Sequence, residues 1–190
     1  MARVRNGSIG PADLTDLTNA SLDLSPLPIV LHDRAGLTTS GIRRACRRLK
    51  AKGNLGLIVV DYLQRITPAD RRVDRHLQIG QITWELKAMA IELKTPVLCM
   101  CQLGRAAEAV DSKTGKVITP RLSHLKESGD IEQDADMVLL LHRQPRASET
   151  TLILAKNRQG EQAEYELTWE ASRTRFSCNT GFTEFDGYAG

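Results

Sequence analysis

The sequence predicts an α/β fold, a mostly parallel sheet flanked by helices with an antiparallel hairpin at its C-terminal side. Three observations predict it. The apolar runs Leu57-Ile58-Val59-Val60 and Val97-Leu98-Cys99-Met100-Cys101 read as strands buried on both faces, as in a parallel sheet. Between them, Ile79, Ile82, Leu86, Met89 and Leu93 recur at steps of three and four, a helical stripe. Strand, helix and strand in that order imply parallel strands joined by right-handed crossovers. Near the C-terminus Tyr165, Leu167 and Trp169 alternate, which marks a half-buried antiparallel hairpin.

Taken in order, residues 11–24 are weakly helical, with Leu14, Leu17 and Leu22 as a short apolar stripe. Pro26 and Pro28 end that segment, because proline lacks an N–H and restricts the residue before it. Ile29-Val30-Leu31 reads as a short strand before a polar turn over 32–36. A clearer helix covers 39–52, where Ile42, Ala45, Cys46 and Leu49 share a face, Thr38 caps the start and Gly53 the end. Its outer face carries Arg43, Arg44, Arg47, Arg48, Lys50 and Lys52. That pattern reads as a solvated basic face, with a subunit or phosphate contact as the other reading.

The strand over 56–60 runs into Asp61, and a polar loop over 67–74 leads into a helix over 75–94 that Thr95-Pro96 stops. A polar loop over 111–120 and a short acidic helix or turn near 122–134 follow. Met137-Val138-Leu139-Leu140-Leu141 reads as another buried strand. Residues 151–155 and 163–169 form the hairpin, and 174–176 add a short strand. Residues 179–190, with three glycines, read as a frayed tail, so one domain is expected over 1–178.

A length of 190 residues suits one domain with a real core, and 41% hydrophobic with 26% charged residues is ordinary for a globular protein. The formal charge of +3 permits a polyanionic partner without demanding one. No apolar run is long enough for a membrane span, and residues 1–20 hold no signal-peptide core. Cys46, Cys99, Cys101 and Cys178 match neither a zinc site nor a disulfide framework, so they are expected as reduced thiols in a cytoplasmic protein.

Asp61 falls at the carboxyl end of its strand, where open α/β sheets bind ligands. A carboxylate there suits a magnesium ion shared with phosphate oxygens. The 190 residues contain no Gly-x-x-x-x-Gly-Lys-Ser/Thr phosphate loop. The pattern is thus half of an ATPase site.

Four segments together resemble the C-terminal ATPase domain of DnaB-type replicative DNA helicases. They are Gly56-Leu57-Ile58-Val59-Val60-Asp61-Tyr62-Leu63-Gln64, Gln102-Leu103-Gly104-Arg105, the run from Glu127 to Asp136, and Lys156-Asn157-Arg158-Gln159-Gly160. The resemblance covers roughly residues 2–177. It implies a RecA-like fold, a homo-hexameric ring of helicase subunits, ATP with Mg2+ as cofactors, and ATP-driven translocation on single-stranded DNA with duplex unwinding. The family's phosphate loop, its catalytic glutamate and its N-terminal domain have no counterpart here, so the fold is expected to be incomplete at its N-terminal side and the chain alone inactive.

By this resemblance Asp61 is the Walker B aspartate, holding Mg2+ through water; the plainer reading is a cap on the following turn. Gln102 resembles the γ-phosphate sensor, where a loop glutamine is the alternative. Lys156 and Arg158 resemble the pair that reaches a neighbouring subunit's ATP, Arg158 being the arginine finger, and a solvated turn pair is the alternative. Lys126, Glu127 and Gly129 match DNA-contacting positions of the family's pore loop, although the family more often has arginine at the first. Cys101 and Gly104 stand where it usually has serine. The acidic cluster Asp130, Glu132, Asp134 and Asp136 is expected to be a solvated or subunit-facing surface rather than a metal site. The other reading of the whole chain is a catalytically dead module that binds DNA or a helicase ring. A recombination-type or clock-type RecA-like ATPase is disfavoured by the Glu127–Asp136 run.

Overall fold

Apolar side chains at helical spacing give the chain its centre. The computed structural model describes residues 6–53, 55–125 and 128–178. Helix α1 (Pro11–Leu24) starts with proline at its first position, and the Asp13 carboxylate accepts the Gly10 N–H at 3.0 Å. None of its residues is buried. The expected strand at Ile29-Val30-Leu31 is not formed. Those side chains are 61, 63 and 89% exposed, and no described strand pairs with them.

Helix α2 (Thr39–Lys52) begins where the Thr38 hydroxyl accepts the Gly41 N–H at 3.2 Å and ends at Gly53, as its sequence pattern predicts. Strand β1 (Ile58–Val60) pairs in parallel with β2 (Val97–Cys99), Val60 opposite Cys99. Helix α3 (Arg75–Leu93) crosses between them. Its predicted stripe is the core: Ile79, Ile82, Leu86, Met89 and Leu93 are all buried, Ile79 completely. The stripe packs on α2, β2, the turn over Leu63–Arg65 and helix α4 (Ser128–Asp134).

The two parallel strands differ from expectation in one respect. Val59 and Leu98 are 54 and 44% exposed, so α3 covers one face of the pair and the other is open among the described residues. The remaining strands form a separate antiparallel sheet, β3 (Met137–Arg143), β4 (Glu149–Asn157), β5 (Ala163–Glu170) and β6 (Arg175–Cys178), in that order. β3 is not buried on both faces as its composition predicts. Val138 and Leu140 face the core while Met137, Leu139 and Leu141 are about half exposed, the alternation of a one-sided sheet. Trp169 and Phe176 pack 4.6 Å apart across β5 and β6. The predicted tail over 179–190 lies outside the described residues.

Candidate nucleotide and nucleic-acid site

The parallel register of β1 and β2 makes both strands end together. The Met100 N–H donates to the Val60 carbonyl at 3.0 Å, and the Leu63 N–H donates to the Met100 carbonyl at 2.9 Å. Asp61 and Gln102 therefore leave the sheet at the same carboxyl edge. With Tyr62, Met100 and Cys101 they line an open cleft of about 310 Å³. Both side chains are exposed, so the Asp61 carboxylate is not spent on capping the next turn within the core.

A residue quoted for the resemblance, but given no role from sequence, shapes this edge. Gln64 stands in the turn after β1. Its carbonyl oxygen accepts the Gln102 N–H at 3.3 Å, and its amide nitrogen donates to Cys101 Sγ at 3.2 Å. Arg75, at the start of α3, donates to the Gln64 backbone carbonyl at 3.1 Å. A chain of contacts thus runs from α3 through Gln64 to the backbone of Gln102. An amide carries a donor and an acceptor on one rigid plane, which lets Gln64 hold both neighbours at once. The signal in the sequence was a glutamine three residues after the strand-end aspartate.

Chemically, the edge presents one carboxylate beside one amide. Mg2+ keeps several waters and needs only one or two carboxylates when phosphates supply further oxygens, so Asp61 fits that ion as a single ligand. Among the described residues no group of three or more His, Cys, Asp or Glu converges to hold a metal without such a phosphate. Burial pushes the neighbouring Cys99 thiol up to about 12, with Cys101 adding to the effect.

Lys156 and Arg158 are not brought to this edge. Both point the same way, as residues two apart on a strand do, and both close on the C-terminal end of α4. Lys156 Nζ donates to the Glu132 carbonyl, and Arg158 Nη2 donates to the Gln133 carbonyl. The Arg158 N–H donates to the Asp136 carbonyl at 2.9 Å, and its guanidinium lies 3.6 Å from the Asp136 carboxylate. The last carbonyls of a helix lack partners and carry its negative end, so two cations there are favourable. Neither side chain is a merely solvated turn residue.

The acidic cluster is likewise not a solvated face. Asp130 sits over α3 at Gly80, where a Cβ would lie 2.9 Å from the Asp130 Cγ, and is 3.7 Å from His76. Asp134 accepts the Thr83 hydroxyl at 2.6 Å. Asp136 pairs with Lys87, whose ammonium holds that carboxyl below the usual range, with Arg158 and Lys156 adding to the shift. Three of the four acids therefore fasten α4 and the start of β3 to α3. On the other side of α3 the predicted solvated basic face of α2 is partly engaged too. Arg47 lies 2.6 Å from Glu92, and Arg43 donates to the Glu85 carbonyl at 3.2 Å.

Of the three expected DNA-contacting positions, Gly129 is exposed in the first turn of α4. Lys126 and Glu127 lie outside the described residues.

The family model for the DnaB-like helicase C terminal domain matches residues 1–178. The replicative DNA helicase DnaB of Mycobacterium leprae (strain TN) is 38% identical over 184 residues, 93% of this chain and 30% of that protein. Among solved structures, a helicase-type ATPase domain superposes with a TM-score of 0.80 at 31% identity, over 92% of this chain and 64% of that one. A DnaB-like replicative helicase, described with its interactions with primase, superposes with a TM-score of 0.78 at 32% identity, over 88% of this chain and 41% of that one. The chain spans about a third of the length of the curated relatives it matches, from 30 to 39%.

Proposed function

The chain belongs to the DnaB-like helicase C-terminal domain family, with the RecA-like fold of that family's ATPase domains, and from that premise we propose that it serves as the carboxyl half of an ATP-driven DNA helicase motor. The observation that carries this reading is the pair Asp61 and Gln102 on one open strand edge. The cofactors on this reading are ATP and Mg2+. Mg2+, when bound, supplies positive charge between phosphate oxygens. Asp61 orients the ion's water shell, and Gln102, held by Gln64, offers an amide to the terminal phosphate.

The finer assignments belong to the same proposal. Arg158, with Lys156, serves a neighbouring subunit's nucleotide in a hexameric ring. A finger of this kind contributes about 10³–10⁵ in rate. Lys126, Glu127 and Gly129 contact the backbone of single-stranded DNA, and residues 1–178 act as one unit in the cytoplasm. Among the described residues no helix is long and apolar enough to cross a membrane.

The 190 residues hold no phosphate cradle, so we propose that turnover needs a cradle contributed by other polypeptide. That same observation favours a second reading, a module that binds DNA or a helicase ring without hydrolysing ATP. ATP hydrolysis by the chain alone and with an added subunit that carries the phosphate loop separates the two. The motor reading expects turnover only in the mixture, abolished by Asp61→Asn and reduced by Arg158→Ala with nucleotide binding retained. Unchanged turnover in a mixture containing Asp61→Asn would remove Asp61 from the site. DNA binding with no turnover in any mixture would leave the binding module.

A further inference from the structure

A second polar cavity lies away from the Asp61 edge. Residues 110–118 close on themselves, with Val110 and Val117 bridged and the Asp111 N–H donating to the Lys116 carbonyl at 2.9 Å. Between this small hairpin and the turn over Leu122–His124 is a cavity of about 580 Å³. Its wall carries Lys116 and Arg121, the imidazole of His124, and the hydroxyls of Thr114, Thr119 and Ser123. Every one of these groups can donate a hydrogen bond.

The rest of the wall is already committed. The Asp111 carboxylate accepts the Lys113 and Thr114 N–H groups at 2.8 and 2.9 Å, which lowers its pKa. Gln144, at the end of β3, clamps Val117 with both ends of its amide, at 2.9 and 2.8 Å. The hairpin is therefore anchored to the antiparallel sheet rather than loose. His124 Nδ1 accepts the Arg121 N–H at 3.2 Å, so the imidazole presents Nε2–H as its donor. Two permanent cations, one turn-bound carboxylate and a set of donors suit a tetrahedral anion with several acceptor oxygens. In sequence the Arg121–His124 turn lies directly before Lys126, the first of the proposed DNA-contacting positions.

We propose that the cavity between the 110–118 hairpin and the Leu122–His124 turn takes a backbone phosphate of single-stranded DNA, with Lys116 and Arg121 as its cations. This rests on the reading of the chain as a single-stranded DNA binder. The ligand is a phosphodiester, read by charge and hydrogen bonding and not by base. Phosphate contacts fix register on a strand and carry no sequence information.

The test is fluorescence anisotropy of the full chain on labelled thymidine and mixed-sequence oligonucleotides across a salt series. On a single strand each neutralised phosphate contributes about 0.7 to the slope of log K against log salt. The same term at 0.1 M salt is worth about 0.7 log units, roughly fivefold in affinity. The double variant Lys116→Ala/Arg121→Ala is expected to bind about fivefold more weakly on both oligonucleotides, with the slope shallower by about 0.7. Both side chains are exposed, so the fold is expected to survive, and circular dichroism checks this. Lys113→Ala, a cation on the same hairpin that does not line the cavity, is expected to leave the slope unchanged.

An equal loss from Lys113→Ala would overturn the site in favour of diffuse charge. An unchanged slope in the double variant, with wild-type binding intact, would overturn it outright. Mononucleotide that competes with the oligonucleotide at equal phosphate concentration, in the wild type but not the double variant, would reassign the cavity to a nucleotide. Failure of the wild-type chain to bind any single-stranded DNA defeats the underlying reading, a result distinct from these.

Discussion

Ile79→Ala tests whether the helical stripe of α3 is the core of this chain. Ile79 is completely buried, and Ile91, on the same helix, is 67% exposed. The same substitution at both positions removes the same atoms, so the difference in cost isolates burial. Three carbons leave the interior at position 79, worth about 2.4 kcal/mol at about 0.8 kcal/mol for each methylene. If the surroundings collapse only in part, a residual void of roughly 60 Å³ adds about 1.4 kcal/mol. The expected loss is about 4 kcal/mol, near the upper end of the range for buried isoleucine. Ile91→Ala is expected to fall within about 0.5 kcal/mol of the wild type, because an exposed side chain gives up little burial and alanine favours the helix. Urea unfolding followed by circular dichroism measures both, with the slope checked for constancy so that midpoints report stability. Equal losses at the two positions, or a larger one at Ile91, would show that α3 turns a different face inward and refute the reasoning.

Three further outcomes follow from local contacts. Thr38→Ala should cost about 1 kcal/mol through loss of the Gly41 N–H partner, Thr38→Ser much less, and the same unfolding titration compares them. The Asp136 carboxyl is held below its ordinary value by Lys87, so its contribution is present above that ordinary value, 3.8, and is lost as pH falls through the lower folded value. Asp136→Asn should therefore flatten the acid limb of the stability–pH profile, and an unaltered limb would count against the Lys87 contact. With its thiol at about 12, Cys99 should hold roughly 10⁻⁴ thiolate at pH 8 and resist iodoacetamide until urea unfolds the chain, as peptide mapping by mass spectrometry would show.

The helices were legible nearly to the residue. At α2 and α3 the apolar spacing records the buried face itself, and Thr38 and Gly53 are local signals for local events. Strands depend on distant partners, and there the sequence misleads. Ile29-Val30-Leu31 has strand composition but no described strand beside it. The Met137–Leu141 run could belong to a two-sided parallel strand or to one face of an antiparallel sheet, and the partner at β4 decides. The edge with Asp61 and Gln102 was readable because each follows an apolar run directly. The engagement of Lys156 and Arg158 with α4 was not, because their acceptors are mostly backbone carbonyls, which every residue has. The same holds for Asp130, Asp134 and Asp136. A charge run gives no sign that its partners lie about fifty residues earlier on one face of α3.

Lys156 and Arg158 bear on timing as well as on strength. A cation already satisfied by oxygens within its own chain does not reach across a gap until that grip loosens. When it does, it trades one set of acceptors for another of similar kind, so the exchange is nearly level in free energy. Nearly level exchanges are reversible and repeatable, which is what a cyclic machine requires of a moving part. An arginine left dangling would arrive sooner but at no particular moment; one released from a helix end arrives when that end moves.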